Sequence, residues 1–265
     1  MRILSARRLL PLLSSGQIFY AGTQPGKASA KALKHKYILQ NNILRINYSV
    51  RNGRFAHADF ENRQTHQHFN FDSLQFFHLL LNDGTIVYAK DFKIKATPYI
   101  QDIPANPAAA RLSEKDAGKK LSIVLYNDEH QIALQWQAVL RNNSNYIQNI
   151  FTFKDGSKSI SKLYLINMPS SQTLDRSGIV DGLPLLDNGN FFSIENPMSK
   201  TDTAASTVSE YLYRAAALQK NDSSFYVSNV FGVTPEDQLR RGFLYYIERE
   251  RAQPYSPFLH YNSWY

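Results

Sequence analysis

The chain has no cysteine in its 265 residues. Disulfide staples, thiolate metal sites and cysteine nucleophiles are therefore excluded together. No stretch approaches the roughly 20 consecutive apolar residues that a membrane span needs. There is no Gly-x-Ser-x-Gly elbow, no phosphate-cradling glycine loop and no dinucleotide fingerprint, which leaves those enzyme classes without a motif. No internal repeat of solenoid or propeller period occurs. Acidic residues are outnumbered, 22 against 30 basic ones, for a formal charge of +8. The basic residues are scattered: Lys31, Lys34 and Lys36 form one loose group and Arg240, Arg241, Arg249 and Arg251 another. Charge alone is a weak cue for nucleic acid, and no nucleic-acid fold signature accompanies it, so no such partner is expected.

What is present reads as a folded, strand-rich protein. Hydrophobic residues make up 43% and charged residues 20%, a globular balance. The 16 Tyr and 16 Phe favour pleated strands and surfaces that meet flat ligands. Leu44, Ile46, Tyr48 and Val50 alternate with polar residues, the period of a half-buried strand. Asn52-Gly53 then supplies a hairpin turn, and the return strand spans Arg54 to Asn62. Trp136 shares one face with Ile132, Leu134, Ala138 and Leu140, while Gln135 and Gln137 share the other. Further strands are expected at Phe76–Leu81, Thr85–Ala89, Leu121–Tyr126, Tyr146–Lys154, Lys162–Asn167, Asn190–Glu195, Val208–Leu218 and Ser224–Val233. Pro98 to Gly118 reads as a long connection. The fold class expected is all-β, with antiparallel sheets packed face to face.

The ends differ in pattern. Arg2, Arg7 and Arg8 precede a short apolar run at Leu9–Leu13, the order of a secretory signal, but Ser14, Ser15 and Gly16 interrupt it. A secreted or periplasmic place and a cytoplasmic one both stay open. Residues 1–35 are expected to be a signal or flexible segment, residues 36–233 the sandwich, and residues 234–265 a linker helix and a final strand. Thr234 suits an N-cap and Pro235 the first helical position. The helix should run to about Ala252, where Pro254 stops it. Phe258 to Tyr265 reads as an apolar strand without a partner, as if the chain had been cut.

Several polar groups could carry chemistry. His66 and His68 have a spacing that can bind zinc. Asp59, Glu61 and Asp72 lie nearby, but no third ligand is evident, and Asn62–Asp72 reads as a polar loop. Asp175 and Asp187 read as turn residues. Glu195 and Glu210, with a histidine, could mimic the acid and base of a sugar mutarotase, by fold analogy only. No metal or other cofactor is expected.

The tail, Arg249-Glu250-Arg251-Ala252-Gln253-Pro254-Tyr255-Ser256-Pro257-Phe258-Leu259-His260-Tyr261-Asn262-Ser263-Trp264-Tyr265, resembles the approach to the first barrel strand of melibiase-type α-galactosidases. Asp181-Gly182-Leu183-Pro184, Gly189-Asn190-Phe191-Phe192 and Glu195-Asn196-Pro197 are similar to a late strand pair of their N-terminal domains. The resemblance implies a large antiparallel β-supersandwich of the galactose-mutarotase type, followed by a linker helix and the first strand of a missing (β/α)8 barrel. It implies that Trp264, with Asn262 beside it, belongs to the sugar pocket. The family's acidic residue beyond the tryptophan, and the nucleophile and acid/base on later strands, have no counterpart here. Retaining hydrolysis needs two such carboxylates, so no catalytic residue is assigned. The expected function is a non-catalytic accessory or carbohydrate-binding domain of an α-galactosidase-like glycoside hydrolase, as a fragment. Its expected partners are a galactoside-type carbohydrate and the barrel, in cis or as a separate chain. A stand-alone carbohydrate-binding module and a mutarotase-like epimerase are the alternatives. The helix and last strand are expected to turn an apolar face to the absent barrel, so that truncation after Val233 should raise solubility.

Overall fold

The computed structural model describes residues 18–154, 159–169, 175–176, 181–187, 189–204, 206–214 and 224–253. Nineteen strands and one α-helix are assigned among them, and every strand pair is antiparallel. The protein is an all-β sandwich.

The first sheet is a meander of β1 (Ser29–Leu33), β2 (Lys36–Gln40), β3 (Leu44–Arg51), β4 (Arg54–Asn62) and β5 (Gln67–Asp72). The β3–β4 hairpin turns on Asn52 and Gly53, with φ of 51° and 68°. Both lie in the left-handed region, the conformation that a two-residue hairpin turn requires. A second five-stranded sheet contains β6 (His78–Leu81), β7 (Ile86–Tyr88), β13 (Ile160–Pro169), β17 (Lys200–Thr203) and β18 (Thr207–Tyr213) in the order β17-β18-β13-β6-β7.

The third sheet is the largest. It comprises β8 (Lys93–Ile94), β9 (Tyr99–Ile103), β10 (Gly118–Asn127), β11 (Ile132–Arg141), β12 (Tyr146–Phe153), β14 (Asp175–Arg176), β15 (Leu185–Asp187), β16 (Asn190–Ile194) and β19 (Phe225–Val233). Its order is β14-β15-β16-β19-β12-β11-β10-β8, with β9 also paired to β10. One face of this sheet packs on both smaller sheets. Trp136 lies 4.7 Å from Tyr48 and 4.9 Å from Phe76 between ring centroids, while Phe231 stacks on Phe71 at 4.8 Å. Burial in β11 alternates without a break, with Trp136 1% exposed, as period-two patterning demands.

A buried polar chain crosses this core. Asn149 Oδ1 accepts from the Tyr48 hydroxyl at 2.8 Å and the Trp136 indole at 3.3 Å, and its amide donates to Asn229 Oδ1 at 2.9 Å. Asn229 in turn donates to the Leu165 carbonyl at 2.5 Å. The chain links all three sheets, and each of these polar groups finds a partner, which is what makes their burial tolerable.

The structure departs from four expectations. The sandwich begins before Lys36: Tyr20 is fully buried, its ring 5.3 Å from Tyr245, and β1 pairs with β2 along five residues. Residues 67–72 form β5 rather than a loop, because Phe69 and Phe71 point inward between polar residues. The connection after Pro98 contains β9, which pairs with β10. The helix α1 spans Leu239–Glu250, not Pro235 onward. Asp237 has φ of 54°, which breaks the helical path. Thr234 makes no cap; it is buried where a Cβ on Gly242 would come within 2.5 Å of its Cγ2.

Nor is the apolar face of α1 free for the expected barrel. Gly242, Tyr245, Tyr246 and Arg249 are buried against the large sheet and its hairpins. The Asn145 amide donates to the Gly242 carbonyl at 3.0 Å, and the Arg249 guanidinium pairs with Asp116 at 3.0 Å. The final strand expected at residues 258–265, with Asn262 and Trp264, lies outside the described residues. Among the described residues no helix is long and apolar enough to cross a membrane.

Candidate functional site

The face of the large sheet turned away from the core is only partly covered. At one end Tyr246 and Phe243 of α1 close over Tyr146, Phe191 and Val230, a small second core. Beside this cluster, part of the same face is the floor of a groove of about 670 Å³. Strand alternation supplies the floor. Because Trp136, Ala138 and Leu140 face inward, Gln137 and Val139 face the groove, and in β12 Gln148 and Ile150 do the same. Lys120, Tyr226 and Ser228 extend the floor to either side, and Glu195, Asn196 and Pro197 form one wall.

Two carboxylates meet where the helix joins this groove. Glu195 follows β16, and its amide continues the ladder to the Ser228 carbonyl at 2.9 Å. Its Oε1 accepts from the Tyr246 hydroxyl at 2.7 Å and its Oε2 from the Gln148 amide at 2.5 Å. Glu250 is the last residue of α1; it accepts from the Tyr146 hydroxyl and stands 3.8 Å from the Arg111 guanidinium. The two phenol rings touch edge to face at 4.8 Å. Each acid thus has its own tyrosine donor.

Burial, with the Glu195 charge next, raises the Glu250 carboxyl above its ordinary value. Burial and then the neighbouring carboxylates push both phenols well up, the Glu250 charge for Tyr146 and the Glu195 charge for Tyr246. The tyrosines therefore stay protonated donors. A carboxyl that holds its proton more tightly beside a second acid is the arrangement that lets one group donate while the other accepts. The same groups, with the two glutamine amides, can equally form plain hydrogen bonds to ligand hydroxyls.

The residues singled out in the sequence distribute unevenly. Glu195 and Gln137 line the groove. Glu210 does not: it is 1% exposed and accepts from the Ile194 amide at 2.9 Å, a structural bond between two sheets. His66 sits at φ of 58° in a turn, and His68 Nδ1 lies 3.1 Å from Asp59. Among the described residues no three His, Asp or Glu side chains form a metal-holding group. Asp175 lies in a strand, and Asp187 pairs with Asn190 where β15 turns back into β16, as a turn residue. Asp181 pairs with Lys200 at 2.9 Å. Glu250 escaped the sequence reading because it stands between Arg249 and Arg251 and looks like a solvated helix face. The available signal was Tyr246 four residues earlier, which shares its face.

No family model matches the sequence, and no curated protein matches it. Among solved structures, a GH36 alpha-galactosidase from Geobacillus stearothermophilus is similar at 11% identity and a TM-score of 0.47, over 79% of this chain and 41% of that one. An alpha-N-acetylgalactosaminidase from Bifidobacterium bifidum is similar at 10% identity and a TM-score of 0.47, over 84% and 39%. The periplasmic domain of YidC from Thermotoga maritima is similar at 12% identity and a TM-score of 0.40, over 83% and 94%. The chain spans about two fifths of the length of these two glycosidases.

Proposed function

We propose that this chain is a carbohydrate-binding, non-catalytic accessory domain of an α-galactosidase-like glycoside hydrolase. The observation that carries the reading is the groove, a concave sheet face lined by Gln137, Gln148, Glu195 and two protonated phenols. Amides and carboxylates in that density match the alternating donors and acceptors of sugar hydroxyls. Tyr226, 53% exposed, offers a ring to a sugar's apolar face. The α-galactosidase part of the reading comes from the likeness of the tail sequence, and with it the two partners, a galactoside-type carbohydrate and the catalytic barrel.

Calorimetric titration with galactosides and plant polysaccharides tests it. Saturable binding that Gln148→Ala weakens about tenfold, the loss of one good hydrogen bond, is the expected result. Heat-silent titrations with a protein shown to be folded would overturn it. A second reading, anomer interconversion, is favoured by one observation: Glu195 and Glu250 stand at the same end of the groove. Ring opening needs one group to take the anomeric hydroxyl proton and another to protonate the ring oxygen. Polarimetry on freshly dissolved galactose decides between them. Acceleration lost in both Glu195→Gln and Glu250→Gln would make it an enzyme, and an unaccelerated rate leaves it a binder.

A further inference from the structure

We propose that the groove is a cleft for an extended glycan laid across the strands, with Tyr99 as its far subsite; this rests on the saccharide-binding reading. Strand register lays out the path. Tyr99 pairs with Ser122, Ser122 with Gln137, Gln137 with Ile150 and Ile150 with Ser228. The Ser228 carbonyl then receives the Glu195 amide. These residues form a single row on one face of the sheet, in which Ser122 is itself buried and Tyr99 lies beyond the groove's lining. Gln137 donates to Ser122 Oγ at 3.4 Å, which places both side chains on that face. In β9, Ile100 packs on the core while Ile103 lines the groove, so alternation puts Tyr99 on the groove side as well.

From Tyr99 to Glu195 the row crosses five strand spacings, about 24 Å, several times the width of one pyranose ring. One ring would be served by the acid pair and Gln148 alone. The remainder of the row is built as a continuation: Ile150 gives an apolar floor, Gln137 an amide between, and Tyr99 an aromatic ring 50% exposed at the far edge. The parallel row of Gln101, Lys120, Val139 and Gln148 repeats this mixture of amides and short apolar faces. Charges of both signs line the groove, Glu114, Glu195 and Glu250 against Arg111, Lys120, Arg141 and Arg251, so a neutral glycan fits better than a polyanion.

The test is affinity against chain length, with galactose and neutral galacto-oligosaccharides of increasing length, and polyuronates of matched length beside them. The wild-type chain is expected to bind the longest oligomers at least about tenfold more tightly than the monosaccharide. Tyr99→Ala should abolish that gain and leave monosaccharide affinity unchanged, with thermal melting unaltered because the side chain is exposed. Gln148→Ala should weaken every length alike. A flat length profile, a Tyr99→Ala protein identical to wild type, or preference for polyuronates would overturn the cleft while leaving saccharide binding standing. Absence of binding at every length overturns both.

Discussion

At the scale of single residues, Asn149 and His78 show how much depends on where a polar atom is buried. Asn149 accepts from Tyr48 and Trp136 and donates to Asn229. Asn149→Leu leaves these three buried groups without that partner. At about 1–3 kcal/mol for each unsatisfied group, an expected loss of roughly 3–5 kcal/mol should appear in urea denaturation. A loss below about 1 kcal/mol would mean that water or local rearrangement replaces the bonds. His78 stacks on Tyr164 at 4.3 Å. Burial lowers its pKa to about 4, against a smaller opposing effect of a backbone hydrogen bond with Leu74. The unfolded chain takes up this proton near pH 6.5 and the folded chain only near pH 4. Stability is therefore fully present above about pH 6.5 and falls as pH drops towards 4. His78→Phe keeps the stacked ring and removes the titration. Subtracting its stability-versus-pH curve from that of the wild type should isolate a decline on the order of 3 kcal/mol. Parallel curves would show that His78 does not titrate in this way.

At the scale of elements, α1 decides what the large sheet exposes. Tyr246 and Phe243 shield Tyr146, Phe191 and Val230, and Arg249, 1% exposed, is tied to Asp116, the Asn142 carbonyl and Ser144. Truncation after Val233 would uncover that cluster and leave Asp116 without its cation. The expected outcome is the opposite of the one the amphipathic pattern suggests: the shortened chain should be less soluble and melt at lower temperature. Dynamic light scattering and thermal denaturation of the two proteins, side by side, check this. A shortened chain that stays monodisperse with an unchanged melting point would show that α1 contributes nothing to the sandwich. The sequence pattern was right about a helix with one apolar face. What it could not reveal was the surface that receives this face, because Tyr146, Phe191 and Val230 lie on three separate strands.

At the scale of the whole molecule, the legible parts are those written in local pattern. The alternation from Ile132 to Leu140 and the Asn52-Gly53 turn both appear where expected, since each depends on neighbours a few residues away. β5 was hidden by the polar residues around Phe69 and Phe71, and β9 by the prolines that flank it. Of the groove, the sequence shows single residues, Gln137 on the outward face of β11 and Glu195, but not their meeting. Its floor is assembled from strands between Tyr99 and Tyr226, and only the pairing register brings Gln137, Gln148 and Ser228 together. The sequence points to Glu195 but offers Glu210 as its companion; Glu210 turns into the sandwich, while Glu250 arrives from the helix. Distance along the chain, not ambiguity of residue type, concealed the pair.

Two of the four groups at the acid pair, Tyr246 and Glu250, ride on α1, and the other two, Glu195 and Tyr146, are fixed to the sheet. Occupancy of the groove and seating of the helix are consequently linked equilibria. Whatever binds across both sets of groups must hold the helix down, and by the same free energy whatever lifts the helix must expel it.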